Sequence, residues 1–137
     1  MRIMAIDYGD AHTGIAISDP TGFMAGTTTT IHSRKAEVVL EELDKLVKQY
    51  QVEELVMGFP KNMDGTEGPR AELCREFAGK VQEVTGLNVT LWDERRTTVE
   101  AHNILAQHNY HGKKRKNTVD AVAASLILEG YLNFRKR

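Results

Sequence analysis

A single cysteine, Cys74, leaves the 137-residue chain without an internal disulfide and without a multi-cysteine zinc site, as suits a reducing compartment. Long apolar runs are missing too: none approaches the ~20 residues that cross a bilayer, and no membrane partner is expected. The start, Met1–Asp7, meets an acid and then a glycine too soon for a signal peptide, so the expected address is the cytoplasm. There is no low-complexity tract, no repeat and no Pro/Gly/Ser linker, and the length suits one domain over 1–137. Net charge is also small, −1, but its distribution is lopsided. Residues 1–94 carry 9 Lys and Arg against 16 Asp and Glu, a net of −7, whereas residues 95–137 carry 9 against 3, a net of +6. A basic last third on an acidic body is the electrostatic footprint of a nucleic-acid partner, although a solvated surface explains charge alone almost as well.

What is present reads as alternating strands and helices. Arg2–Asp7 and Gly14–Ser18 form short apolar strands around the turn-rich Gly9-Asp10, and Phe23–Ile31 supplies a third, β-branched strand. Such short connections imply an antiparallel meander. The period then becomes helical through Ala36, Val39, Leu40, Leu43, Leu46, Val47 and Tyr50. Glu54–Phe59 is an apolar run suited to a buried strand. Pro69 opens a second helix with the stripe Leu73, Cys74, Phe77, Ala78, Val81 and Val84, stopped by Gly86. Val89–Asp93 is a fifth strand. Thr97 with Glu100 makes a capping box for a third helix, and a last helix starts near Asn117 after a basic loop at Gly112–Lys116. Right-handed crossovers place the later strands beside the first, giving a mixed five-stranded α/β sheet flanked by helices, the ribonuclease H-like arrangement.

Four stretches carry residues suited to chemistry. In Asp7-Tyr8-Gly9-Asp10-Ala11-His12-Thr13-Gly14, a carboxylate closes a strand and a glycine follows, although turn chemistry alone explains Gly9 and Asp10. The long loop from Gly58 to Glu72 offers Lys61 and Arg70 to a phosphate backbone beside a helix N-terminus. In Asp93-Glu94-Arg95-Arg96-Thr97-Thr98, two acids and two bases leave a strand end, with Arg95 and Arg96 as further phosphate contacts; a surface ion network is an equal reading. The fourth is Asp120, expected in the first turn of the last helix behind Lys113, Lys114, Arg115 and Lys116. An acid there complements the helix dipole, but its apolar neighbours make a lone charge costly and favour a metal ligand.

Asp7, one of Asp93 and Glu94, and Asp120 thus offer three carboxylates at one edge of the sheet. Oxygen ligands without cysteine or clustered histidine point to Mg²⁺ or Mn²⁺ and to two-metal phosphodiester chemistry. His102, His108 and His111 lack zinc spacing, while Cys74 and Trp92 read as packing residues.

The blocks DYGDAHTGIAISD, GFPKNMDGTEGPRAE, DERRTT and NTVDAVAASLIL resemble, in order and spacing, the YqgF family. Its members are ribonuclease H-like proteins described as pre-16S ribosomal RNA nucleases and earlier as Holliday junction resolvases. The resemblance covers Arg2 to about Leu132 and implies a metal-dependent endonuclease with its acidic site on Asp7, Glu94 and Asp120. It thereby selects Glu94 over Asp93. Where the family usually has Arg, this chain has His12. The implied partner is structured RNA, precursor ribosomal RNA or the pre-ribosome. A DNA junction is the alternative, favoured by a dimer over a monomer, and a non-catalytic RNA-binding module is a third reading. An actin-like ATPase would need two such domains, and the chain has length for one.

Overall fold

The computed structural model describes residues 1–22, 25–62, 64–93 and 112–135, and for 112–120 the backbone alone. In chain order the elements are β1 (Arg2–Asp7), β2 (His12–Ser18), β3 (Ala25–His32), α1 (Ala36–Tyr50), β4 (Val52–Phe59), α2 (Pro69–Thr85), β5 (Val89–Asp93) and α3 (Gly112–Arg135). The sheet order is β3-β2-β1-β4-β5. β1, β2 and β3 form the expected antiparallel meander, while β4 joins β1, and β5 joins β4, in parallel. The helical crossovers have therefore carried the later strands to the far side of β1, and the C-terminal ends of β1, β4 and β5 share one edge.

The sheet is covered on both faces, which is why its central strands are apolar without a break. Met4 and Ile6 of β1, Ile15 and Ile17 of β2, and Leu55, Met57 and Phe59 of β4 pack towards Val39, Leu43 and Val47 of α1 and Cys74, Phe77, Ala78 and Val81 of α2. The alternate residues Ile3, Ala5, Ala16 and Val56 face Ala124, Ile127, Leu128, Tyr131 and Leu132 of α3. Small residues on both sides, Ala5 and Ala16 against Ala124, let α3 lie close to the sheet. Cys74 is a core residue, 2% exposed. Trp92 packs edge-on against Tyr131 and Phe134, confirming its reading as a packing residue. At the far end of α3, Arg135 grips Glu54 through both carboxylate oxygens, at 2.7 and 2.5 Å.

Local signals account for the helix ends. Pro69 occupies the first turn of α2, and Gly86 ends it with φ +74°, a left-handed conformation that glycine adopts at little cost. Arg2 donates to the carbonyl of Tyr50, at 2.8 Å, satisfying an acceptor at the end of α1.

Several expectations need correction. β2 begins at His12 and β4 at Val52, each two residues earlier than the sequence suggests, because pairing with β3 and β1 extends them. β3 runs to His32 for the same reason. Leu73 and Val84 belong to the apolar stripe of α2 in sequence but are 50% and 46% exposed; the buried stripe is narrower than the apolar pattern. The most consequential difference concerns Gly112–Lys116, which is the opening of α3 and not a loop. Lys and Arg are good helix formers and no proline interrupts the run, so the helix propagates back through it. Asp120 therefore stands at the ninth position of α3, well past the first turn. The expected capping box at Thr97, and with it the third predicted helix, lies outside the described residues, as do His102, His108 and His111.

Candidate active site

β1 is the central strand, and Asp7 is its last residue. In the parallel register Ile6 stands opposite Met57, and Gly58 opposite Trp92, so Asp7 reaches the level of Gly58 and Trp92. Two strand spacings, roughly 10 Å in all, separate β1 from β5 across that edge. Side-chain parity sorts the acids there. Asp7 shares the parity of Ile3 and Ala5, on the α3 face. Asp93 shares the parity of Val89 and Leu91, which pack on the α1–α2 face, whereas Trp92 packs on the α3 face. Asp120 lies on α3 one turn before Ala124 and two turns before Ile127 and Leu128, the residues that meet the sheet. Glu94, Arg95 and Arg96 lie outside the described residues, and Asp120 and Lys113–Lys116 are described in backbone only. Among the described residues no group of three His, Cys, Asp or Glu side chains is placed to hold a metal ion.

The loop that follows Asp7 is tightly constrained. A Cβ on Gly9 would overlap the carbonyl oxygen of His12, so the residue must be glycine for the chain to turn there. Tyr8 stacks flat on Phe77 of α2, with ring centroids 3.8 Å apart. Arg70, in the first turn of α2, donates to the carbonyl of Tyr8 and, at 2.9 Å, to Oδ1 of Asp10. Its guanidinium carbon also sits 5.4 Å from the Tyr8 ring centroid. Burial raises the pKa of the Tyr8 hydroxyl above its usual 10.0; nearby Arg70 pulls the other way, and Cys74 and Asp10 add to the rise. Arg70, expected to meet phosphate, thus spends donors on the protein while remaining 36% exposed at its side chain.

The long loop between β4 and α2 is organised from within. Asn62 donates its backbone N–H to the Thr66 carbonyl at 2.8 Å and its side-chain amide to the Thr66 hydroxyl at 2.9 Å, and Asp64 accepts from the Thr66 amide at 2.9 Å. Arg75 reaches back from α2 to Glu67 and lies over the Phe59 ring. Lys61, half-buried, follows Pro60 at the start of this loop, two residues after the buried end of β4. Across the meander, His12 and His32 face one another with their Nδ1 atoms 2.9 Å apart, one donating and one accepting.

Sequence reasoning missed the Tyr8–Arg70–Asp10 constellation and the histidine pair. For the first a signal existed: a cation in the first turn of a helix opposes the dipole and calls for an acid from elsewhere.

Comparison with known proteins gives a consistent result. A family model described as RuvX, Holliday junction resolvase, matches residues 1–134. A protein of Halothermothrix orenii named "Putative pre-16S rRNA nuclease" is 47% identical over 137 residues, covering 100% of this chain and 98% of the relative. One of Carboxydothermus hydrogenoformans with the same name is 42% identical, covering 100% and 99%. Among solved structures, T. thermophilus RuvC in complex with a Holliday junction substrate superposes with a TM-score of 0.64 at 10% identity, covering 98% of this chain and 96% of that one. The fowlpox virus Holliday junction resolvase gives 0.60 at 14%, covering 98% and 99%. At such identities these two structures speak for the fold, the ribonuclease H-like sheet with its flanking helices. The whole-chain family match and the close relatives settle the affiliation: the chain belongs to the RuvX (YqgF) family.

Proposed function

We propose that this chain is a cytoplasmic, divalent-metal-dependent endonuclease that hydrolyses phosphodiester bonds in precursor 16S ribosomal RNA. The observation that carries the reading is the shared edge of β1, β4 and β5, where Asp7 ends the central strand on the face that α3 covers. Asp93 carries the parity of Val89 and Leu91, on the face of the sheet opposite Asp7, which leaves Glu94, the residue the family resemblance selects, as the companion of Asp7 in this reading. Asp120 gains support from its place in α3. Nine residues into the helix it is beyond the reach of the N-terminal dipole, so the structural excuse for an acid there is gone.

The donor set fits the metal. Carboxylate oxygens at a sheet edge suit Mg²⁺ or Mn²⁺, and the one cysteine, buried in the core on the inner side of α2, is not part of it. When bound, such ions supply an activated water and neutralise charge on the phosphoryl oxygens. The residues would divide the work: Asp7, Glu94 and Asp120 hold the ions, while Lys61, Arg95, Arg96 and the run Lys113–Lys116 hold the phosphate backbone alongside.

The substrate reading rests on relatives above 40% identity that are named as pre-16S rRNA nucleases, the two described above among them. The description of the matching family favours a second reading, cleavage of a four-way DNA junction. Symmetric cuts on a junction require two active sites, hence a dimer. Cleavage in Mn²⁺ of a precursor ribosomal RNA fragment and of a DNA four-way junction, side by side, separates the two. Asp7→Asn should lower cleavage by orders of magnitude while leaving the fold intact. Wild-type rates in Asp7→Asn would refute the acidic site, and binding of RNA without cleavage by the wild type would mean a binding module.

A further inference from the structure

The Arg70 side chain joins three observations at one point. Its two terminal nitrogens span Gly9, one donating to the carbonyl of Tyr8 and the other to Asp10. The ring of Tyr8 is held at the same time, stacked flat on Phe77. The peptide so gripped joins Tyr8 to Gly9, one residue beyond Asp7, and the turn there is too tight to admit a side chain on Gly9. α2 and the loop after β1 are therefore fastened together by a fork and a stack, 60 residues apart along the chain.

We infer that Arg70 is a positioning residue: it fixes the backbone that carries Asp7, and its charge serves the protein and not the substrate phosphate. The inference rests on the proposed nuclease site and adds to it a residue that sets the geometry of the central carboxylate. A guanidinium is suited to this because its planar fork reaches two acceptors at once, which a lysine ammonium cannot do in the same geometry. Residues that hold a catalytic ligand in place commonly contribute 10- to 100-fold without touching substrate.

The test compares wild type, Arg70→Ala and Arg70→Lys with a precursor ribosomal RNA fragment. A positioning role predicts that Arg70→Ala lowers kcat by about 10-fold or more. RNA affinity, measured in Ca²⁺ in place of Mn²⁺, should stay within about twofold, with the salt dependence unchanged. Arg70→Lys should resemble Arg70→Ala in kcat, since charge without the fork does not restore the grip. Hydrogen exchange supplies an arm that needs no activity: the amides of residues 8–12 should exchange faster in Arg70→Ala, while those of α1 stay as in wild type. A phosphate-binding role predicts the opposite pattern: weaker RNA binding, a salt slope shallower by about 0.7, partial rescue by lysine and unchanged loop exchange. That pattern, or full kcat in Arg70→Ala, overturns the inference. A wild type that cleaves neither RNA nor junction defeats the proposed function instead, and unchanged exchange at residues 8–12 then overturns the loop fastening on its own.

Discussion

Neutralising Asp120 gives the sharpest distinction between a metal ligand and an incidental acid. Were Asp120 in the first turn of its helix, Asp120→Asn would remove up to ~1 kcal/mol of dipole stabilisation under every condition. It stands at the ninth position of α3, where that contribution has faded, so without metal the substitution should leave stability unchanged or raise it by relieving repulsion between carboxylates. Metal reverses the order. At a free Mn²⁺ concentration 100 times its Kd, binding to the folded state adds about 2.7 kcal/mol. For a chain of this length each kcal/mol moves Tm by about 3–4 °C, so the wild type should gain roughly 10 °C. If losing the ligand weakens binding about 100-fold, the variant keeps only about 0.4 kcal/mol, a rise of 1–2 °C. Thermal melts of both proteins in chelator and in millimolar Mn²⁺ decide the matter. An equal loss of stability in both conditions, or a wild type indifferent to Mn²⁺, refutes the assignment.

Three further outcomes follow from the structure. Replacing Lys113, Lys114, Arg115 and Lys116 together by Ala should preserve the helix and flatten the salt dependence of RNA binding by about 0.7 per lost phosphate contact; an unchanged slope would make the run a solvated surface. Gly130→Ala should stabilise by up to about 1 kcal/mol, because its Cβ would meet Trp92 at an ordinary 3.4 Å while helix propensity improves; a lowered Tm would show that Trp92 cannot accommodate it. Tyr8 should contribute to alkaline instability. Its ionisation is opposed in the folded state, so the unfolded chain loses its proton first, and stability falls as pH rises past the ordinary tyrosine value of 10.0. Tyr8→Phe keeps the stack on Phe77 and should make that fall shallower in melts from about pH 9 to about pH 11; an identical slope would refute the linkage.

The strands and the first two helices were legible because their signals are local. The short apolar runs of β1 and β2, the 3.6-residue period of α1, and Pro69 and Gly86 at the ends of α2 each act within a few residues. The start of α3 was misread because Gly112 and Asn117 look like breakers, whereas the cations between them extend the helix. Asp7 was legible as a candidate from its place at a strand end. The choice between Asp93 and Glu94 was not legible from the strand pattern and rests on the family resemblance; Glu94 lies outside the described residues. Arg70 and Asp10, or His12 and His32, meet only through strand register and helix docking, which no short-range pattern encodes.

Cys74 offers an unplanned instrument. It is the sole thiol of the chain, it lies on α2 between the turn bearing Arg70 and the ring of Phe77, and the fold keeps a reagent away from it. A thiol-reactive dye added to the native protein must wait until α2 lifts from the sheet, so its labelling rate, set against that of the unfolded chain, measures the free energy of that opening. No tag or engineered residue is needed. If the opening costs less than global unfolding, the lid over the Asp7 loop is a cooperative unit of its own, and any ligand that steadies that loop will announce itself as slower labelling.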